Sequence, residues 1–149
     1  MIAFVKVQLV LLSCVLCTGI YLKHFTDCGG HGTIHSILLE PCDSEPCHIF
    51  EDTTYHGTVN FTAGFNSQTA LNKATAEIAN AWGPFHVTPE DACGHGIICP
   101  VVKGETYTYT ADAVPKNFNS SIRTVAKWMV VGDNNEYLIC WDFPVFLNV

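Results

Sequence analysis

The chain has 149 residues, 48% of them hydrophobic and 14% charged, with a net charge of −7. That length suits one domain, and a composition so apolar and weakly charged excludes intrinsic disorder. Seven basic side chains against fourteen acidic ones, with no run of five or more like charges, argue against nucleic acid as a partner, because phosphate binding draws on clustered Lys and Arg. The first predicted element is a leader. Lys6 precedes an apolar run from Val7 to Leu16, and Cys17, Thr18 and Gly19 follow. This is the layout of a secretory signal peptide, with cleavage expected after Gly19. The run is short for a bilayer span, which needs roughly 20 apolar residues. The expected organisation is a signal peptide over 1–19 and one secreted domain over 20–149. Loss of Lys6 leaves six basic and fourteen acidic side chains, a net charge of −8.

Alternation of period two dominates the rest. Thr33 to Leu39 is the first predicted strand. In Val59–Ala63, residues Val59, Phe61 and Ala63 share a face and leave Asn60 outward, where Asn60-Phe61-Thr62 forms a glycosylation sequon. Ala70 to Trp82 alternates as one strand, although its alanines also suit a helix. Gly83-Pro84 and Thr88-Pro89 read as turns. In Glu105–Thr110 the two tyrosines share one face. A second sequon, Asn119-Ser120-Ser121, precedes a strand from Ile122 to Val130, with Ala126, Trp128 and Val130 on one face and Arg123 and Lys127 on the other. Tyr137 to Val145 is the last strand, and Pro144 places it at an edge or an end. About seven short strands with turn punctuation predict an all-β sandwich. Trp128 lies among small residues, so its ring either packs into a solid core or walls a gap that a flat apolar ligand fills.

Six cysteines remain after the leader: Cys28, Cys42, Cys47, Cys93, Cys99 and Cys140. An even count in an oxidising compartment reads as three disulfides, in any of 15 pairings. Proximity suggests Cys42–Cys47 and Cys93–Cys99, leaving Cys28–Cys140 to tie the ends of the domain. The spacings miss the usual zinc knuckle, so no metal site is expected. Nothing predicts catalysis either. There is no G-x-S-x-G elbow and no H-E-x-x-H, and Glu90-Asp91 reads as a solvated turn. All seven histidines follow the leader. Imidazoles with an unperturbed pKa near 6.5 would charge in an acidified compartment and favour docking on an anionic membrane.

Asp27-Cys28-Gly29, Pro41-Cys42, Glu45-Pro46-Cys47, the stretch PFHVTPEDACGHGIICPVVKGETYTY from Pro84 to Tyr109, Trp128, and Cys140-Trp141-Asp142-Phe143-Pro144 carry a resemblance. In this combination, across the whole mature chain, the sequence resembles the Niemann-Pick C2 family of ML (MD-2-related lipid-recognition) domains, to which the group 2 mite allergens are related. The resemblance implies an immunoglobulin-like sandwich of two antiparallel sheets, the same disulfide pairing, and a lipid cavity between the sheets with sterol as the best-known cargo. It places Phe85, Pro115 and Trp128 at the pocket, with Phe118 in place of the family's usual tyrosine. Phe85 and Phe118 would form a gate and Trp128 a wall, while Leu39, Tyr55 and Tyr109 are further wall candidates. Lysines found near the family's portal are replaced here by Glu51 and Gly94.

The function so implied needs no catalysis and no cofactor. A monomer would carry a sterol or similar apolar lipid, secreted or in the lysosome, with transient contact to a membrane or a membrane receptor. The alternative is a secreted interaction module, or a carrier of fatty acids or semiochemicals acting through a receptor, as in innate immune lipid recognition. A small secreted hydrolase would be a third class, and no residue set supports it.

Overall fold

A computed structural model describes residues 18–149, so the leader expected over 1–19 lies outside the described residues apart from Thr18 and Gly19. Ten strands follow in chain order: β1 Ile20–Tyr21, β2 Thr26–Asp27, β3 Thr33–Glu40, β4 Cys47–Phe50, β5 Tyr55–Thr62, β6 Leu71–Ile78, β7 Ala81–Thr88, β8 Thr106–Val114, β9 Ile122–Val131 and β10 Tyr137–Asn148. Their order is β1-β3-β5-β8-β7-β6-β9-β10-β2, and β4 runs parallel to β10 beside β2. β7 belongs to both layers. Ala81 to Phe85 pair with β6, and His86 to Thr88 pair with β8. The strand that changes sheets bends the ribbon into a two-layer sandwich.

The alternation read from the sequence is the alternation of burial. Val59 and Phe61 on β5, Tyr107 and Tyr109 on β8, and Ala126, Trp128 and Val130 on β9 point between the sheets. Ala70 to Trp82 departs from its reading as one strand. It is a hairpin that turns at Ala79 and Asn80, with φ of 51° and 63°. Two-residue hairpin loops need left-handed backbone at both positions. Alanine fits such a turn poorly, and the period-two pattern runs on through it, so nothing local marks the break. Gly83-Pro84 lies inside β7, which puts Phe85 on a strand and not in a loop. Pro144 lies within β10, between the part paired with β2 and the part paired with β4.

Three disulfides staple the scaffold: Cys28–Cys140, Cys42–Cys47 and Cys93–Cys99. The first closes 112 residues of chain. In the chain-entropy account such a long closure contributes about 4–5 kcal/mol. It sits outside the main core, with Met129 and Val131.

Candidate functional site

The two ends of the sandwich interior are filled differently. At one end Phe61 packs on Tyr107 and Tyr109, at ring-centre distances of 5.7 and 6.1 Å. At the other, the inward positions carry small residues: Ala113 on β8, and in the facing layer Ala74 on β6 and Ala126 on β9. The result is an apolar slot between the sheets. Leu39, Tyr55 and Ala113 line it from one layer, and Ile49, Ala74, Ala126, Trp128, Phe143 and Val145 from the other. Phe85, Pro115, Thr75 and Lys127 complete its rim. It encloses about 30 Å³, room for a couple of waters and not for a lipid.

Trp128 sets the inner end of the slot. Its indole N–H donates to Asn72 Oδ1 at 2.6 Å, and its ring stacks on Trp141 at 5.8 Å. The ring crosses the gap to the opposite layer, where a Cβ on Gly57 would lie 3.1 Å from it. Glycine at 57 is what lets the indole seat against the β5 backbone. Tyr55 is fixed as firmly. Its hydroxyl accepts from Phe50 N–H at 2.9 Å and donates to the His48 carbonyl at 3.2 Å. Burial pushes its phenol above the ordinary tyrosine value, although the Phe50 N–H favours the anion.

The outer end is closed by the loops that cross between layers. Phe118 N–H donates to Glu51 Oε1 at 2.7 Å, and Asp52 N–H to the Pro115 carbonyl at 3.0 Å. Lys116 approaches Asp52 at 3.7 Å. Glu51 therefore ties the β4–β5 loop to the β8–β9 loop. Behind the rim, Lys127 lies 4.3 Å above the Trp82 ring and 3.9 Å from Asp142. Burial raises the Asp142 carboxyl above its usual range, and Lys127 partly opposes this.

Of the residues expected at a lipid site, Leu39, Tyr55, Phe85, Pro115 and Trp128 come together around the slot. Phe118 and Tyr109 do not line it. Phe118 is buried in the core beside the clasp, where its backbone N–H bonds Glu51. Tyr109 packs at the filled end, where its hydroxyl is fully buried without a hydrogen-bond partner, and burial drives its pKa upward. Sequence reasoning missed Ile49, Ala113, Phe143 and Val145. The alternation of Val145 with Phe143 in the last strand was a usable signal, whereas Ile49 lies on a strand of four residues with too little pattern to read. Asn60 stands on the outer face of β5, its amide donating to Thr108 Oγ1 at 2.7 Å, and Asn119 is exposed.

Among the described residues, no group of three or more His, Cys, Asp or Glu side chains could hold a metal ion, and no helix is long and apolar enough to cross a membrane.

Residues 23–147 match the family model of the ML domain. The NPC intracellular cholesterol transporter 2 of Canis lupus familiaris is 37% identical over 123 residues, 82% of this chain and 83% of that protein. The protein of the same name from Mus musculus is 31% identical and covers 95% of this chain and 96% of its own length. The mite group 2 allergen Tyr p 2 of Tyrophagus putrescentiae is 27% identical over 110 residues, 74% of this chain and 77% of its own. Among solved structures, a Niemann-Pick type C2 protein from the Japanese carpenter ant shares the fold, with a TM-score of 0.71 at 22% identity, over 84% of this chain and 99% of that one.

Proposed function

The chain belongs to the Niemann-Pick C2 family of ML domains, and from that membership and its inter-sheet slot we propose that it is a secreted carrier of a sterol or similar apolar lipid. The observation that carries the reading is the slot itself, a set of apolar walls with alanine at three inward positions where neighbouring layers carry large side chains. Relatives at 31% and 37% identity bear the name of cholesterol transporters, which supports sterol over other apolar cargo. Affinity comes from burial. Each Å² of apolar ligand surface withdrawn from water is worth about 25 cal/mol, and the walls supply no competing polar demand.

A slot of about 30 Å³ is far smaller than a sterol. Loading parts the two layers, and the alanines are where they part most cheaply, since little side-chain packing is lost there. The clasp of Glu51 with Phe118 bounds that movement at the outer end. The carrier acts as a monomer that meets a donor or acceptor membrane or its receptor only transiently. No bond is made or broken in this function, and no cofactor takes part.

Replacing Ala126 with Leu tests the reading. The added branch fills the slot and leaves the sheet pairing untouched. A fluorescent sterol, dehydroergosterol, is expected to bind the parent protein and to lose at least about tenfold in affinity on the variant, the worth of about 1.4 kcal/mol. Equal binding by both would place the lipid elsewhere. Native mass spectrometry of protein purified from its source, with lipid extraction, identifies the cargo.

A further inference from the structure

Among the described residues, Ser67 and Asn72 are the buried polar ones, each 2% exposed. Ser67 stitches loops together at the filled end, through Thr69 and Asp133. Asn72 stands on β6, on the inward face, two residues before the slot residue Ala74. A carboxamide in an apolar interior is costly unless it is hydrogen-bonded, and its bonds say what it is there for. Its Oδ1 accepts from the Trp128 indole N–H at 2.6 Å, and its amide donates to the Pro89 carbonyl at 3.3 Å. Its backbone N–H donates to the Glu90 carbonyl at 2.8 Å. Asn72 is thus held by the segment that follows β7, and in turn holds the indole.

The register makes this reach possible. Ala74 pairs with Trp128 across β6 and β9, and Asn72 pairs with Val130. Asn72 is therefore the diagonal neighbour of Trp128 on one face, a separation that a large ring spans. Ala74, directly opposite, leaves room for the ring. Trp128 is the largest side chain lining the slot, and the wall it meets is built of the smallest residues, Gly57 paired with the buried Ala111. With the indole turned away, the slot would run on past Gly57 and Ala111 to the next pair, Val59 and Tyr109. Stacking on Trp141 sets the plane of the ring. The directional bond to Asn72 sets where in that plane the ring lies.

We propose that Asn72 is the positioning residue that fixes the depth of the lipid slot. By pinning Trp128 across the gap, it ends the buried body of the ligand at Gly57. It thereby selects among apolar ligands of one kind by their length, favouring a compact ring system over the same ring system with a tail. This inference rests on the carrier reading above and deepens it by naming what limits the ligand.

Displacement of dehydroergosterol by two competitors tests it: cholesterol, and androstenol, a sterol nucleus without the side chain. Asn72→Leu keeps roughly the volume of the side chain and removes the acceptor. It is expected to raise the affinity for cholesterol relative to androstenol by about threefold to tenfold, the net worth of one hydrogen bond. Asn72→Asp keeps an acceptor and is expected to keep the parent's ratio. In a Trp128→Phe background, which has no indole N–H, Asn72→Leu is expected to change the ratio no further, because the residue acts through that bond. Circular dichroism shows whether each sandwich is intact, and Asn72→Ala, which removes the same acceptor, takes the place of Asn72→Leu where the leucine unfolds it. If the loss of the acceptor moves both competitors alike, or moves their ratio equally with and without the indole, or if Asn72→Asp moves it as far, Asn72 only supports the fold. The inference then falls and the carrier reading stands. A parent protein that binds none of the three sterols overturns the carrier reading and this inference with it.

Discussion

The two ends of the sandwich are built on the same strands and do opposite things. From Gly57 toward Thr62, β5 and its neighbour β8 face the interior with Val59, Phe61, Tyr107 and Tyr109. From Gly57 toward Tyr55, the same pair faces it with Tyr55, Ala111 and Ala113. Backbone spacing is common to both, since neighbouring strands keep about 4.8 Å and packed sheets about 10 Å. Side-chain volume alone decides which end is solid. Trp128, stacked on Trp141 and seated on Gly57, is the boundary between them. A lipid carrier can thus keep a stable fold and a yielding pocket in one small domain by concentrating its large rings at one end.

The comparison breaks most sharply under a pair of opposite substitutions. Phe61→Ala empties the filled end, where Phe61 is fully buried between two tyrosines. It is expected to cost about 3–5 kcal/mol of stability, read by urea unfolding. Ala113→Leu adds volume at the slot. In a solid core that addition costs about 1–3 kcal/mol through strain; in a slot it leaves stability unchanged or improved and removes sterol binding. Should Ala113→Leu destabilise by as much as overpacking does, the slot is a packed core and the contrast between the ends is lost.

The two buried tyrosines give a smaller and cleaner contrast. Tyr55→Phe at the slot strands the Phe50 N–H and the His48 carbonyl, and with them the β4 end that carries Ile49. Leaving such groups unpaired costs about 1–3 kcal/mol. Tyr109→Phe at the filled end removes a buried hydroxyl that has no partner. It is expected to be neutral or stabilising by up to about 1 kcal/mol, because a desolvation penalty disappears with the group. Thermal melts of the two variants side by side check this, and a loss at Tyr109 equal to that at Tyr55 would reveal a partner for its hydroxyl.

What could be read from the sequence followed what is local in the fold. Period-two alternation grouped Val59 with Phe61, Tyr107 with Tyr109 and Ala126 with Trp128, because a strand fixes which face each side chain takes. The cysteine spacing gave the three bridges, two of which close loops of only five and six residues' separation. The resemblance carried by the segments around those bridges named Phe85, Pro115 and Trp128, and these three line the slot. The turn at Ala79-Asn80 stayed hidden because its left-handed backbone is imposed by the pairing of β6 with β7, against the preference of alanine. The position of Phe118 away from the slot wall could not be read because the loop that carries it is tied to Glu51, 67 residues away. The partner change of β7 was illegible for the same reason: it depends on pairing with β6 and then β8, and no residue type announces that.

Acid sharpens the comparison by the smallest effect. Asp133 follows β9 at the filled end and accepts from the backbone N–H of Gln68 at 2.8 Å, from the Thr69 hydroxyl at 2.8 Å and from its N–H at 3.2 Å. These donors, the Gln68 N–H foremost, hold its carboxyl below the usual aspartate range. A carboxyl whose folded pKa is depressed adds stability that is full above the unfolded value, about 3.9, and fades as pH falls through the folded one. The tie between the β5–β6 loop and the β9–β10 turn therefore weakens in acid, at the end away from the slot. Asp133→Asn keeps the side chain's shape without its charge. At neutral pH the variant is expected to melt below the parent, and the gap to narrow as pH drops below about 4. Dehydroergosterol affinity at neutral pH should be the same for both, since no residue tied by Asp133 lines the slot. A melting gap that stays constant with pH would mean that shape and not charge fixes the loop, and a shift in sterol affinity would mean that the two ends are coupled through Trp128.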